Sequence, residues 1–417
     1  MACSDEVINT EPETPEENEL GLVQFSTASE ALTRAATYMP GGVRFSAVMH
    51  HTQTSGFYNF ENPTQAYLVV DNMGGGNSWY YKSTYATPEH YDEYNNDDDA
   101  TIFYWQNRQN HAFIGYINDY NAALRTANDA KKAGEPDYIP ELMYGDNLYK
   151  TTPVKDKDGN VLYYLKYKEV NLKNTKTGED TYLWNSMNDQ PDPLIATNEK
   201  APQSSSAELN RVPLVFKHQL SQVQVNIKPH ESIAMTKEQI KKVELLGVSE
   251  KALIYPYFIT YNAEEGDENY GKPVIADKAT TGLLAHKAQA VAVNLNAIDP
   301  EVLEDNQWGT SFNMFMESDA NTTAGFLRTF NCITFGTLEA IRITWAEPEE
   351  EGNVEHVVTF VVTNNPADTN DYKNLASGKR YIFNMELRRG TLAVIHAVID
   401  DWIPYETEYP AQGTISK

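Results

Sequence analysis

Apolar and polar residues alternate along VPLVFKHQLSQVQVNIKP, residues 212–229, with the period of a β-strand. Val212, Leu214, Phe216 and Leu220 share one parity, whereas Val223, Val225 and Ile227 share the other. Neighbouring side chains of a strand point to opposite faces, so the change of parity near Ser221 and Gln222 needs a device. A β-bulge, a strand that passes from one sheet to another, or two short strands joined by a tight turn would each supply it. Bulged or sheet-switching strands belong to sandwiches and barrels, where strands turn corners. The stretch is read as a strand that serves both sheets of a sandwich and closes a first domain.

The rest of the chain repeats the pattern in short runs. Leu20, Leu22, Val23 and Phe25 begin a first strand. Strands are then predicted over 43–49, 66–70, 78–83, 101–105 and 111–117, separated by Gly, Asn, Asp and Pro clusters that favour turns. Residues 122–134 are rich in helix formers and stop at Gly134, which predicts a short surface helix. Asp158-Gly159-Asn160 marks a hairpin turn, and the region 151–210 reads as an insertion into the first domain. Thr236 and Gln239 have the spacing of a capping box at the start of a second domain. Further strand-like runs follow. In the last pair, Tyr381, Phe383, Met385 and Leu387 alternate, while the partner run 391–402 is apolar on both parities and is therefore expected in the middle of a sheet. The expected fold is all-β: two tandem β-sandwich domains, residues 20–230 and 231–417, with a few short helices and a polar tether over 1–19.

Length and charge narrow the function. A single core stops growing at roughly 250–300 residues, which agrees with two domains in a chain of 417. The net charge of −26 supplies no basic footprint for nucleic acid, and direct adsorption to anionic lipid is disfavoured. The two cysteines, Cys3 and Cys332, offer no disulfide framework and no zinc spacing. Cys332 lies in TFNCITF and is read as a small buried apolar residue.

The titratable residues do not converge. His50 and His51 are adjacent and would face opposite ways in a strand, and they are read as surface or rim residues. His218 and His396 are read as tolerated polar positions within strands. No H-E-x-x-H or G-x-S-x-G motif is present. The acidic run Asp97-Asp98-Asp99 reads as a solvated loop. No enzymatic activity and no cofactor are expected. A glycan-binding surface protein is the alternative, with Trp79, Tyr80, Tyr81, Tyr104 and Trp105 as candidate sugar-stacking residues.

The start of the chain, MACSDEVINTEPETPEENE, places a Cys after a small residue and before a polar acidic tract that cannot bury enough apolar area to fold. It resembles a bacterial lipoprotein, with Cys3 as the acylated residue and Ser4-Asp5-Glu6 as an acidic export signal. The other reading is a tail with an incidental Cys.

Several runs together resemble the fimbrillin-like proteins of Bacteroidota. They are Phe216-x-His218-x-Leu220-Ser221-x-Val223-x-Val225-x-Ile227, Thr33-Arg34-Ala35 behind the first strand, TIFYWQNRQNHAFIGYIN, and the closing SGKRYIFNMEL to IDDW. The resemblance spans about residues 20 to 403. It implies two transthyretin-like Greek-key sandwiches in a pilus (fimbria) subunit or tip adhesin of the outer membrane or cell surface, exported as a lipoprotein. It further implies that a trypsin-like, Arg-specific protease cuts between Arg34 and Ala35. The displaced first strand, with Leu20, Leu22, Val23 and Phe25, would be replaced by a strand from another pilus subunit. The donor would be the tail, through Tyr405, Thr407, Tyr409, Ala411 and Ile415. A host protein or glycan would be a further partner, and contact with the membrane would be through the lipid alone.

Overall fold

The stretch 212–229 is three strands in three sheets. Val212–Pro213, Lys217–His218 and Ser221–Pro229 each pair elsewhere, and the chain changes sheet at Gln219 and Leu220. The computed structural model describes residues 23, 25–26, 39, 43–51, 64–71, 80–84, 103–125, 150–155, 161–172, 184, 186–203, 211–249, 251–255, 258–261, 273–274, 287–290, 311–349, 352–364, 370–388 and 391–402. Among these residues strands dominate. Helix is confined to residues 120–125 and three 3-10 turns. The chain is all-β, as the alternation predicts.

The first sheet is antiparallel, with the order Lys217–His218, Leu194–Lys200, His111–Ile117, Arg44–His51, Thr64–Asp71, Tyr80–Thr84. All seven residues of His111–Ile117 are buried, so its two faces meet different neighbours. One face, through Phe113 and Ile117, shares a core with Val23, Phe25, Phe45, Val212, Leu214 and Phe216. The other, through Ala112, Ile114 and Tyr116, shares a core with Val170, Leu172, Ala252 and Ile254. Double-sided burial also corrects the reading of His50, which is wholly buried rather than at the surface.

Gly115 sits where the first face is tightest. A Cβ there would lie 2.6 Å from the Phe216 ring. Gly115→Ala is expected to destabilise the protein by about 1–3 kcal/mol through overpacking, checked by urea unfolding. A Gly115→Ala/Phe216→Leu pair should recover part of that loss.

The expected hairpin around Asp158-Gly159-Asn160 forms from Lys150–Lys155 and Val161–Asn171. It is not confined to the first half of the chain. Val161–Asn171 also pairs with Lys251–Tyr255 and Phe258–Tyr261. Strand pairing therefore runs across residue 230, and the division expected there does not coincide with a division between sheets.

Two further sheets face each other. The first has the order Phe315–Met316, Arg328–Thr334, Ser221–Pro229, Lys379–Arg388, Thr391–Asp401. Ser221–Pro229 lies at its centre, antiparallel to Arg328–Thr334 and parallel to Lys379–Arg388. It does not close the first domain, as the parity argument supposed. The second sheet runs Ser311–Asn313, Ile240–Val248, Gly336–Glu349, Gly352–Val361. Val223, Val225, Ile227, Phe330, Cys332, Tyr381, Phe383, Met385 and Leu387 fill the space against Val243, Leu245, Ile341, Ile343 and Trp345. Burial pushes the Cys332 thiol well above its usual range, in keeping with an inert apolar role.

Local signals fare well here. Thr236 and Gln239 form the capping box, and the Thr236 N–H donates to Gln239 Oε1 at 2.6 Å. Gly378 takes φ 70°, in the left-handed region that suits glycine. Three residues on, the buried Tyr381 hydroxyl accepts from Ala376 N–H at 2.8 Å and donates to Asn374 C=O at 3.1 Å. The Gly-x-x-Tyr spacing thus builds a corner.

The run 391–402 departs from its expected place. Thr391–Asp401 is the last strand of its sheet, at the edge rather than the middle. Its pairing shifts at Ile395: Met385 faces Val394, and Asn384 faces His396. The bulge moves the inward parity from Val394 to Ala397 and Ile399, which all pack against the core. Ile395 itself points out, 49% exposed. Apolar residues of both parities thus reflect a change of phase and not burial on two faces.

Candidate functional site

Of the residues the sequence singles out, Val23 and Phe25 are the pair that the described structure brings together with partners. Phe25–Ser26 is a two-residue strand, parallel to Val212–Pro213, with Phe25 opposite Val212. Just before it, the Val23 N–H donates to Phe103 C=O at 2.7 Å. Both apolar side chains are buried. Among the described residues the ladder spans two pairs, and the buried side chains add most of the contact.

Those side chains enter a socket lined by aromatic rings. Phe25 stands edge-on to Phe103, with centroids 5.7 Å apart, and edge-on to Phe113 at 5.6 Å. Phe113 continues the set to Trp105 at 5.5 Å, and Trp105 meets His111 at 4.9 Å. Edge-to-face pairs are the favoured aromatic geometry. The motif TIFYWQNRQNHAF thus supplies the socket wall: Phe103, Trp105, His111 and Phe113. The opposite side comes from Val212, Leu214 and Phe216. The strand Val212–Pro213 is in turn held by side chains of Leu194–Lys200. Asn198 Nδ2 donates to Pro213 C=O at 2.6 Å, and Lys200 Nζ donates to Arg211 C=O at 2.7 Å.

His111 is the titratable group of this wall. The Gln106 N–H donates to its Nε2 at 3.1 Å, and Nδ1 lies 2.9 Å from Gln109 C=O. An N–H partner on Nε2 and a carbonyl on Nδ1 specify the neutral ring with the proton on Nδ1. Burial lowers its pKa to about 4 against the pull of the Gln109 carbonyl, and His51, across the strand pair, adds to the lowering.

The site holds a peptide strand. Burying Val23 and Phe25 is worth roughly 1.5–3 kcal/mol each, so an emptied socket would expose a costly apolar groove. Replacement by another strand with two apolar residues of the same parity would restore it. Trp105 is wholly buried, so the structure offers it to the core and not to a sugar. Leu20, Leu22, Cys3, Arg34, Ala35, Trp79, Asp97-Asp98-Asp99 and the tail residues Tyr405, Thr407, Tyr409, Ala411 and Ile415 lie outside the described residues. The socket walls escaped the sequence reading as a group because they come from two distant segments, 103–113 and 212–216. The shared parity of Val212, Leu214 and Phe216 was the available signal.

Among the described residues, no helix is long and apolar enough to cross a membrane. A family model described as fimbrillin-like matches residues 163–402, more than half of the chain. No curated protein matches it in sequence. Solved structures resembling it include candidate cell adhesion proteins from Bacteroides uniformis and Bacteroides ovatus. The first is 14% identical with a TM-score of 0.40, the second 11% identical with a TM-score of 0.43, and each comparison covers 92% of this chain and 98% of the other. The tip fimbrial protein Mfa3 of Porphyromonas gingivalis, solved with a C-terminal truncation, is 12% identical with a TM-score of 0.31, covering 92% of this chain and 100% of that one.

Proposed function

We propose, from the premise that the chain belongs to the fimbrillin-like family, that it is a subunit or tip adhesin of a cell-surface fimbria and that its socket joins it to a neighbour. The observation that carries this reading is the placement of Val23 and Phe25. They reach the core of the first sheet from a segment attached by a two-residue ladder. Cleavage between Arg34 and Ala35 would cut that segment from the chain behind it. The socket would then take a strand from another subunit, whose tail carries Tyr405, Thr407, Tyr409, Ala411 and Ile415 on one parity. Such a contact is head-to-tail and open, so it propagates a filament. Cys3 would hold the precursor at the outer membrane through its lipid.

Digestion of the full chain with an Arg-specific protease tests the reading. The expected result is a new N-terminus at Ala35, loss of the 1–34 fragment, and oligomers that appear with the cut. A cut chain that keeps its 1–34 fragment bound and stays monomeric would refute strand exchange. Resistance of the Arg34–Ala35 bond would refute the processing site.

A further inference from the structure

A buried His–Asp pair and a stacked Trp lie where the first sheet meets the last strand among the described residues. His218 Nδ1 is 2.7 Å from Asp192 Oδ1, and both side chains are nearly fully buried. Both belong to the first sheet's side: His218 pairs with Leu194 in the ladder, and Asp192 precedes that strand. The free face of the His218 ring is covered by Trp402, with centroids 3.6 Å apart and planes within 2°. Trp402 follows Thr391–Asp401 of the other sandwich. Tyr120 stands edge-on to His218 at 6.4 Å, and its N–H donates to Asp192 C=O at 2.8 Å.

Backbone bonds tie the same place together. Gly378 N–H donates to Leu220 C=O at 2.9 Å, and Trp402 N–H donates to Gly378 C=O at 2.8 Å. Leu220 is where the chain crosses between sheets. Nearby, Gln190 uses its side-chain amide as a strand would: Nε2 donates to Ile333 C=O at 3.0 Å and Oε1 accepts from Ile333 N–H at 2.7 Å. It does so two residues beyond Asn331, at which the pairing of Phe315–Met316 with Arg328–Thr334 stops. Asn121 Nδ2, on the 120–125 helix, donates to Gln190 C=O at 2.9 Å. Side chains of the first half thus finish an edge of the second.

We infer that Asp192, His218 and Trp402 form a latch between the first sheet and the sheet that ends in Thr391–Asp401, with Gln190 as its second point, which couples the unfolding of those two sheets and fixes where the chain leaves after residue 402. Burying an ionisable pair is costly unless its geometry is satisfied. Here the pair orients one ring, and that ring is the platform for a residue of the other half. Such an arrangement couples the two sheets more than it adds to the bulk stability of either.

The test is calorimetry with amide exchange on the full chain. Wild type is expected to melt in one transition whose calorimetric and van't Hoff enthalpies agree. Trp402→Ala should split it in two, and exchange on Leu194–Lys200 should quicken by about tenfold, the scale of one aromatic pair. Trp402→Phe, which keeps a ring, should restore a single transition and guards against a folding defect. His218→Ala with Trp402→Ala should be no worse than His218→Ala alone, since the stacked contact is already lost with the His218 ring. Additive effects, a single transition in Trp402→Ala, or two transitions in wild type would each overturn the latch.

Discussion

Phe25→Ala is expected to destabilise the first sheet by about 3–5 kcal/mol, the range for truncating a buried Phe. The ring is wholly enclosed, and two others, Phe103 and Phe113, lose their edge-on partner with it. No long ladder compensates, because the strand pairs over two residues. Phe25→Leu should cost much less, since it keeps most of the volume. The measurement is urea unfolding monitored by tryptophan fluorescence, where buried Trp105 reports on this core. A loss below about 1 kcal/mol would mean that the segment is not anchored by its side chains. Under the proposed function, the same substitution should also hasten departure of the 1–34 fragment once Arg34 is cut.

The second large effect is on pH. His111 is neutral in the folded chain, with both ring nitrogens bonded, and its pKa is lowered to about 4. Its unfolded value is near 6.5, so the stability it contributes is present above pH 6.5 and is lost as pH falls through 4. The amount is about 3 kcal/mol. Asp119 acts in the opposite sense. Burial raises its pKa to about 6, so its contribution is present below about pH 4 and lost as pH rises through 6. The two overlap, and wild type alone would understate each. The comparison is therefore with His111→Gln, which lacks the titration. Between pH 7 and 4, wild type should lose about 3 kcal/mol more than the variant in urea titrations. Parallel losses would show that His111 does not govern the acid response.

Local features were readable from the sequence and long-range ones were not. Alternation located Arg44–His51, Thr64–Asp71 and His111–Ile117, and the inward set Tyr381, Phe383, Met385 and Leu387. Turn chemistry located the 150–171 hairpin and the Thr236 cap. All of these depend on residues within a few positions of each other. The other partners of Val161–Asn171, Lys251–Tyr255 and Phe258–Tyr261, lie about 80 to 95 residues later, and no local pattern encodes that. Parity was the subtler case. It flips in 212–229 because three strands follow one another, and in 391–402 because a bulge intervenes, and the sequence signature of the two is the same. Histidine misled for a related reason. His50 looks like a surface residue until neighbours cover its sheet from both sides. For the socket, Val23 and Phe25 were legible as a first strand, while Phe103, Phe113 and Phe216 become its walls only through folding.

The bulge at Ile395 has a meaning for colloidal behaviour. A straight, flat border strand is a template on which another chain can lie down and continue the sheet indefinitely. Thr391–Asp401 is instead stepped at mid-length, and it finishes on Asp400 and Asp401, both exposed. A stranger strand laid along it would be in register with one half and out of register with the other. Sideways accretion is thereby frustrated; under the proposed function, subunits crowded on a cell surface would add through the socket and not fuse into plaques.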